Sequence, residues 1–183
     1  MPCSQAPYTV PDLQSLDVHT GFMQQALLLA QRAGEQGEVP VGAVLVRGDR
    51  VLGEGYNQCI EKHDPTAHAE INALRAGALN IGNYRLADTT LYVTVEPCMM
   101  CLGAIIHSRV GHVVFAAAEP KAGALVSRPM VQRDQFNHFP QVTAGPLAQP
   151  CGQLMSDFFA TRRRQQRDLK LAAASIGKDI NEQ

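Results

Sequence analysis

The stretch TTLYVTVEPCMMCLGAIIHSRVGHVVFAAA, residues 89–118, decides the fold. Its first seven residues are mostly β-branched or aromatic and end at Glu-Pro, which predicts a buried strand. The apolar segment after Pro97 predicts a helix, and residues 109–118 predict a second strand. A helical crossover of this length lets the two strands pair in parallel. The stretch therefore predicts an α/β fold.

The neighbouring segments complete one domain. Residues 19–38 carry apolar side chains at helical spacing and end in glycines, which predicts a helix. Residues 39–58 have the pattern of a hairpin that turns at residues 47–50. Residues 151–174 predict a final amphipathic helix with a basic end. Residues 119–150, rich in Pro and Gly, have no clear pattern.

These predicted elements indicate one domain over residues 19–168. We expect a flexible N-terminal extension (1–18) before it and a frayed C-terminal tail (169–183) after it. The expected architecture is a mixed β-sheet covered by helices.

Composition excludes several classes of protein. A chain of 183 residues that is 45% hydrophobic can fill one core, and a net charge of −1 is not that of a DNA-coating protein. No Lys or Arg precedes Arg32, and no apolar run approaches ~20 residues, so neither a secretory signal nor a membrane span is predicted. Five unevenly spaced cysteines fit a reducing cytoplasm better than a disulfide framework.

His68 and Glu70 stand two residues apart in HAEINAL, residues 68–74. In the middle of a helix, side chains two positions apart point to different faces. If both serve one site, they must lie at a chain end, in a turn or in the first turn of a helix. Asp-Pro-Thr at residues 64–66 is typical of a helix start, so we expect a helix from there to about Gly82.

The second motif is EPCMMC, residues 96–101, which ends a strand and opens a helix. Cys98 and Cys101 are three positions apart and share one helix face. A helix N-terminus favours thiolate, the form that binds metal. With His68 they offer the ligands of a tetrahedral zinc site and leave a fourth position for water. Glu70, not itself a ligand, could then handle the proton of that water.

Each motif alone has a plainer interpretation. A lone CxxC is most often structural zinc or a redox dithiol, and a lone HxE is usually a helix start without function. A structural zinc site needs a fourth ligand, which Cys59, His63 or Cys151 could supply. The joint pattern, H-x-E followed after 26 residues by P-C-x-x-C, is far more specific and favours catalytic zinc.

These motifs resemble the zinc-dependent nucleoside and nucleobase deaminases, and most closely the bacterial tRNA-specific adenosine deaminases. The resemblance runs from about residue 20 to residue 168. It implies a three-layer α/β/α cytidine-deaminase-like fold with a central mixed β-sheet. The matching segments are EVPVGAVLV (38–46), GEGYN (53–57), HDPTAHAEINALR (63–75), NYRLADTTLYVTVEPCMMCLGAIIHSRVGHVVF (83–115), KAGA (121–124) and SDFF (156–159).

The resemblance implies an activity: hydrolytic, zinc-dependent deamination of adenosine to inosine at the wobble position, A34, of a tRNA anticodon. His68, Cys98 and Cys101 match the family's ligands for one zinc ion per subunit. Glu70 matches the residue that carries a proton to N1 of the base and then to the leaving amine.

The resemblance also implies a binding surface for the tRNA anticodon stem-loop and a homodimer whose partner helps to bind the RNA. Asn57 matches a residue that contacts the target nucleotide, Val39 a pocket wall, and Phe159 the phenylalanine nearer the RNA. Arg162 opens a cluster of cations over residues 162–170. Aromatic side chains beside arginines suit unstacked bases, although a solvated helix face with cations near its C-terminus is the plainer interpretation.

The chain departs from the family in one loop. Ala118 and Glu119 stand where the family has Arg-Asp before the KxGA segment, in a loop that resembles one contacting the anticodon loop.

Two other functions remain open at this point. A deaminase of free cytosine, guanine or cytidine shares the zinc motif, but the SDFF segment with its arginines and the HAEINALR helix favour the tRNA enzyme. A non-catalytic RNA-binding module with structural zinc would have no use for Glu70 beside an open coordination position.

Overall fold

The computed structural model describes the backbone of residues 13–181 and the side chains of residues 18–173. That range contains four α-helices, five strands and one short 3-10 helix, Arg133–Gln135, which precedes the last strand. The elements are α1 (Leu13–Glu35), β1 (Gly42–Arg47), β2 (Arg50–Tyr56), α2 (Ala69–Ile81), β3 (Thr90–Val95), α3 (Met99–His107), β4 (His112–Ala117), β5 (Gln141–Ala144) and α4 (Ala148–Asn181).

The five strands form one mixed sheet in the order β2-β1-β3-β4-β5. β1 pairs antiparallel with β2 and with β3, while β3 with β4 and β4 with β5 are parallel. The predicted hairpin and the predicted parallel pairing across α3 are therefore confirmed.

Alternate side chains of the central strand β3 enter opposite layers, as the two-residue period of a strand requires. Leu91, Val93 and Val95 pack in the cluster that includes residues of α2 and α3. Tyr92 points the other way and packs with residues of α1 and with Cys151 of α4. The three-layer α/β/α arrangement is confirmed.

Helix α2 lies directly on β2, and glycines make this approach possible. A Cβ atom on Gly53 would overlap the backbone of Ala73 and Gly77, and one on Gly55 would overlap the backbone of Ala69 and Ala73. This contact fixes the start of α2 against the sheet, which is where the HAE motif lies.

Both long helices extend beyond their predicted ends. α1 begins at Leu13, inside the predicted N-terminal extension. α4 begins at Ala148 and continues to Asn181, through most of the predicted C-terminal tail. The Ala, Leu and Lys residues of this segment are strong helix formers. Residues 1–12 and 182–183 lie outside the described residues.

The segment without a clear pattern, 119–150, contributes the edge strand β5. Its four residues add to the sheet parallel to β4. In the described part of the chain, no helix combines the length and apolar character needed to cross a bilayer.

Candidate functional site

The first half of the site is the start of α2. His68 is the N-cap of this helix, with extended backbone angles of φ −72° and ψ 155°, and Glu70 lies in its first turn. His68 and Glu70 therefore both lie at a helix start, as their two-residue spacing requires if they serve one site. The predicted helix start at residues 64–66 is wrong, because the Asp64 carboxylate instead accepts hydrogen bonds from the N–H and hydroxyl of Thr66 and closes a local turn.

Asn57 takes over the capping role at this helix. Its Oδ1 accepts a hydrogen bond from the N–H of Ala69 at 2.8 Å, and its Nδ2 donates to the carbonyl of Val39 at 3.0 Å. Since Asn57 is buried and satisfies the helix terminus, the His68 ring makes no capping bond and is left to other partners.

The second half of the site is the start of α3. Cys98 is its N-cap, again in extended backbone, and Cys101 lies buried in the first turn. Neither His68 nor Cys98 caps its own helix through a side-chain hydrogen bond. The two helix starts face one another, so their side chains meet between them.

The spacing of the three ligand atoms fits zinc. His68 Nδ1 lies 3.8 Å from Cys98 Sγ and 3.5 Å from Cys101 Sγ, and all three atoms lie within 4.8 Å of one another. Zinc bonds of ~2.3 Å to sulfur and ~2.0 Å to nitrogen in a tetrahedron place such atoms about 3.5–3.8 Å apart. The donor set and its spacing therefore suit this metal.

A fourth protein ligand is missing from this group in the described residues. Only His68, Cys98 and Cys101 form a potential metal-binding group there, without Cys59, His63 or Cys151. Cys151 packs with the cluster on the opposite face of the sheet. Three ligands leave one position for water, which is the pattern of catalytic and not of structural zinc.

The thiols of Cys98 and Cys101 differ in pKa, and therefore in how readily each becomes the thiolate that binds a cation. A hydrogen bond from the Cys101 thiol, supported by His68 and opposed by burial, lowers the pKa of Cys98 to about 4. Donating that bond, together with burial, raises the pKa of Cys101. The hydrogen bond to Cys98 raises the pKa of His68. Cys98 is thus the thiol that ionises more readily, and a bound cation would favour release of the proton of Cys101.

Glu70 is the buried carboxyl group of the site. It is 4% exposed, and burial raises its pKa to about 7 against the opposing hydrogen bonds from its own backbone N–H and from Cys101. A carboxyl group with a pKa near neutrality can both accept and release a proton under ordinary conditions.

An open groove of about 480 Å³ lies between α4 and the segments around Val39 and Ile60. Val39, Phe159 and Arg162, three of the four predicted substrate-binding residues, line it. The fourth, Asn57, is not among its lining residues and bonds to the Val39 carbonyl. Phe158 is half-buried, whereas Phe159 is 42% exposed.

Arg162 has an internal partner. Its Nη2 donates to the carbonyl of Gly37 at 2.8 Å, and its guanidinium lies over the Phe158 ring. It thereby ties α4 to the segment before β1. Arg163 and Arg164 are exposed and form no ion pair with any described residue.

Two buried carboxylates near the site were not predicted from the sequence. Glu38, 2% exposed, accepts hydrogen bonds from the N–H groups of Ile60 and Glu61. Glu96, 3% exposed, accepts several from the loop after β4. In the sequence, each of these glutamates stands among apolar residues and close to a proline, in EVPVG and VTVEPC, and this pattern indicates a buried carboxylate. A buried carboxylate needs hydrogen-bond partners.

Comparisons with known proteins agree with this geometry. The family model of the cytidine and deoxycytidylate deaminase zinc-binding region matches residues 16–117. A tRNA-specific adenosine deaminase of Haemophilus influenzae is 52% identical over 157 residues, which cover 85% of this chain and 91% of the relative. One of Streptococcus pyogenes serotype M1 is 39% identical over 166 residues, covering 90% and 95%.

Two solved structures of deaminases are similar to this chain in fold and in sequence. One, from a study of A-to-I editing by tRNA:A34 deaminases at the wobble position of transfer RNA, has a TM-score of 0.70 and 41% identity. The match covers 74% of this chain and 99% of that chain. A guanine deaminase of Bacillus subtilis has a TM-score of 0.55 and 32% identity, with 79% and 94% covered.

Zinc is the metal of the matched region, and His68, Cys98 and Cys101 are the described residues able to hold it. The chain therefore belongs to the zinc-dependent cytidine and deoxycytidylate deaminase family and, within it, to the tRNA-specific adenosine deaminases.

Proposed function

We propose that the protein deaminates adenosine to inosine at the wobble position of a tRNA anticodon, with water as co-substrate and ammonia as the second product. The observation that carries the proposal is the buried Glu70 beside a three-residue nitrogen and sulfur group, in a chain whose relatives are tRNA-specific adenosine deaminases.

The proposed chemistry follows the general scheme of zinc deaminases. Bound zinc supplies an acidified water molecule as the nucleophile. His68, Cys98 and Cys101 hold the metal and leave it one open position. Glu70 would take one proton of the water and deliver it to N1 of the adenine ring. It would then take the second proton, from the hydroxyl added at C6, and pass it to the exocyclic amine, so that the C6–N bond breaks, the C6 carbonyl forms and ammonia leaves.

The groove along α4 suits a base displaced from a loop. Single-stranded RNA is recognised mainly through unstacked bases that stack on aromatic side chains. Phe159 presents its ring there, next to Val39 and Arg163. We propose that Val39 and Phe159 contact the anticodon loop, while Asn57 and Arg162 position the elements around it.

Replacing Arg163 and Arg164 together by Gln should weaken binding of an anticodon stem-loop and flatten its salt dependence. Both cations are exposed and without a charged partner among the described residues, so they are available to phosphates. For single-stranded RNA the slope of log affinity against log salt should fall by up to about 0.7 for each phosphate that the variant no longer neutralises. Filter binding at several salt concentrations measures both quantities.

The matched control is the double change of Arg50 and Arg85 to Gln. These exposed arginines begin β2 and precede β3, at the end of the sheet opposite the metal-binding residues. Changing them to Gln removes the same two positive charges, and neither arginine lines the groove. An equal effect of both double changes would show that only net charge matters and that the α4 cations form a solvated face.

We also propose a homodimer. Helix α3 buries Cys101, Leu102, Ile105 and Ile106 in its own chain, which accounts for most of its apolar character. Met99 and Met100 stay more than a third exposed on its outer side, beside the site. A second copy of the chain would cover them and bring RNA-binding residues close to the site. Light scattering at micromolar concentration should give twice the chain mass, and a monomer would contradict this proposal.

The decisive experiment compares substrates. The zinc-loaded protein is incubated with an anticodon stem-loop containing A34, with free guanine and with free cytosine, and the products are analysed for inosine, xanthine and uracil. We expect inosine only, in the stem-loop. Because a guanine deaminase is among the structural relatives, xanthine formation would favour that alternative. Binding of the stem-loop without any deamination would favour a non-catalytic RNA-binding module. We also propose a cytoplasmic location, which a tRNA substrate supports.

A further inference from the structure

Glu96 is a buried carboxylate that the proposed chemistry does not use. It follows the last residue of β3 and lies two residues before the metal-binding Cys98. Only 3% of its surface is exposed. Because transfer of an unpaired carboxylate from water to such a place is very costly, its partners have to be identified.

Those partners all come from the loop of residues 119–127, which follows β4. Oε1 accepts hydrogen bonds from the N–H groups of Leu125, Val126 and Ser127 at 3.0, 2.7 and 2.9 Å. Oε2 accepts from the N–H of Glu119 at 3.2 Å and from the hydroxyl of Ser127. One carboxylate thus binds both ends of a loop that has no regular secondary structure.

The same loop packs on the segment that carries the metal ligand. Gly123 forms an antiparallel bridge with Cys98, and the N–H of Ala124 donates to the carbonyl of Pro97 at 2.9 Å. A Cβ atom on Gly123 would overlap the Glu96 carboxylate, so the loop can lie this close only with glycine there. The loop therefore lies directly against the segment that carries the metal-binding Cys98.

We propose that Glu96 is a positioning residue, which fixes the 119–127 loop beside Cys98 and thereby sets the affinity for the RNA substrate. This inference rests on the proposed function for the identity of the substrate. Glu96 acts through the loop backbone and takes no part in proton transfer or in metal binding. Its charge matters because hydrogen bonds to an ionised acceptor are about twice as strong as neutral ones.

The loop needs such an anchor because ordering a backbone segment has a large entropic cost. If the anchored conformation becomes only fractionally populated, the apparent substrate affinity falls by that fraction. The effect should appear in KM, since Glu70 and the three metal-binding residues keep their places.

The test is Glu96→Gln in the zinc-loaded full chain. Glutamine keeps the shape and one acceptor oxygen, but its NH₂ group must face either Glu119 or the Leu125–Ser127 end, where it meets another donor. We expect KM for the A34 stem-loop to rise by up to roughly tenfold, the factor equivalent to the loss of one hydrogen bond to a charged group. kcat should change less than KM, and zinc should stay at one ion per chain.

Hydrogen exchange gives a readout that does not depend on catalysis. The amides of Glu119, Leu125, Val126 and Ser127 should be protected in the wild-type protein and should exchange faster in Glu96→Gln. Ser127→Ala removes one donor and should give a smaller effect in the same direction. This milder change keeps the proposal testable if Glu96→Gln does not fold.

The control is Thr143→Val, which removes a partly buried hydrogen bond between β5 and His112, the first residue of β4. It should lower stability without changing KM. An equal rise of KM in this variant, an unchanged KM in Glu96→Gln, unchanged exchange of the loop amides, or loss of zinc would each overturn the proposal. Failure of the proposed function would appear separately, as a wild-type protein that does not deaminate the stem-loop.

Discussion

Replacing Glu70 by glutamine should reduce turnover by about 10⁴-fold, the upper end of what a general acid–base group contributes. Zinc content and stem-loop affinity should stay close to those of the wild-type protein. The change keeps the size and shape of the side chain and removes only its ability to take up and release a proton. One residue serves several proton transfers in the proposed reaction, which is why we expect the upper end of the range.

The surroundings of Glu70 suit a residue that takes up and releases protons. Burial raises its pKa to about 7, and a zinc ion beside it would favour the charged carboxylate and lower that pKa again. Glu70 would then begin the reaction as a base and hold a proton only between its uptake and its delivery to the substrate. The metal-binding group of the described residues contains no carboxylate of its own, which leaves the proposed proton transfers to Glu70.

Single-turnover rates with saturating, zinc-loaded enzyme measure this effect free of product release. Glu54→Gln is the matched control, because Glu54 is an exposed residue of β2 and loses the same charge. It should turn over at the wild-type rate. A Glu70→Gln enzyme that retains zinc and works within tenfold of the wild-type rate would remove Glu70 from the mechanism.

The sequence was most informative about site residues that lie close together along the chain. His68 with Glu70, and Cys98 with Cys101, are each confined to one helix start, so spacing alone predicts which faces they share. The two starts meet because β2 and β3 both run antiparallel to β1, so the ends of β2 and β3 that lead to α2 and α3 lie at the same edge of the sheet. The clustering of the three metal-binding residues was predictable from their types and their spacing at helix starts, whereas the three-layer fold was predicted from the family resemblance.

Interactions between distant residues could not be predicted in this way. Asn57 caps a helix that begins twelve residues later, and Arg162 reaches Gly37 across 125 positions. Each is a bond between a side chain and a backbone group, and such pairs leave no periodic pattern. Strand β5 was missed because four residues are too few to show alternation.

The largest loss of metal should follow from changing Cys98 and Cys101 to serine together. A serine hydroxyl is not deprotonated at neutral pH, so both thiolate ligands would vanish while the backbone of α3 could keep its start. Changes in residues that merely support metal ligands cost ~10–100-fold in affinity or activity. Removal of two ligands should therefore cost more, and the purified double variant should carry almost no zinc and have no measurable activity.

Metal analysis after dialysis, with the free energy of unfolding from urea titration, measures this prediction. Stability should fall as well, because metal that binds only the folded chain stabilises it. Cys59→Ser is the control: Cys59 is half-buried, its pKa is raised by burial and by the nearby Glu38 and Asp64, and it lies outside the metal-binding group. That variant should keep one zinc ion per chain. Stoichiometric zinc in the Cys98→Ser/Cys101→Ser protein would mean that the chain binds its metal elsewhere, and the proposed reaction would lose its centre.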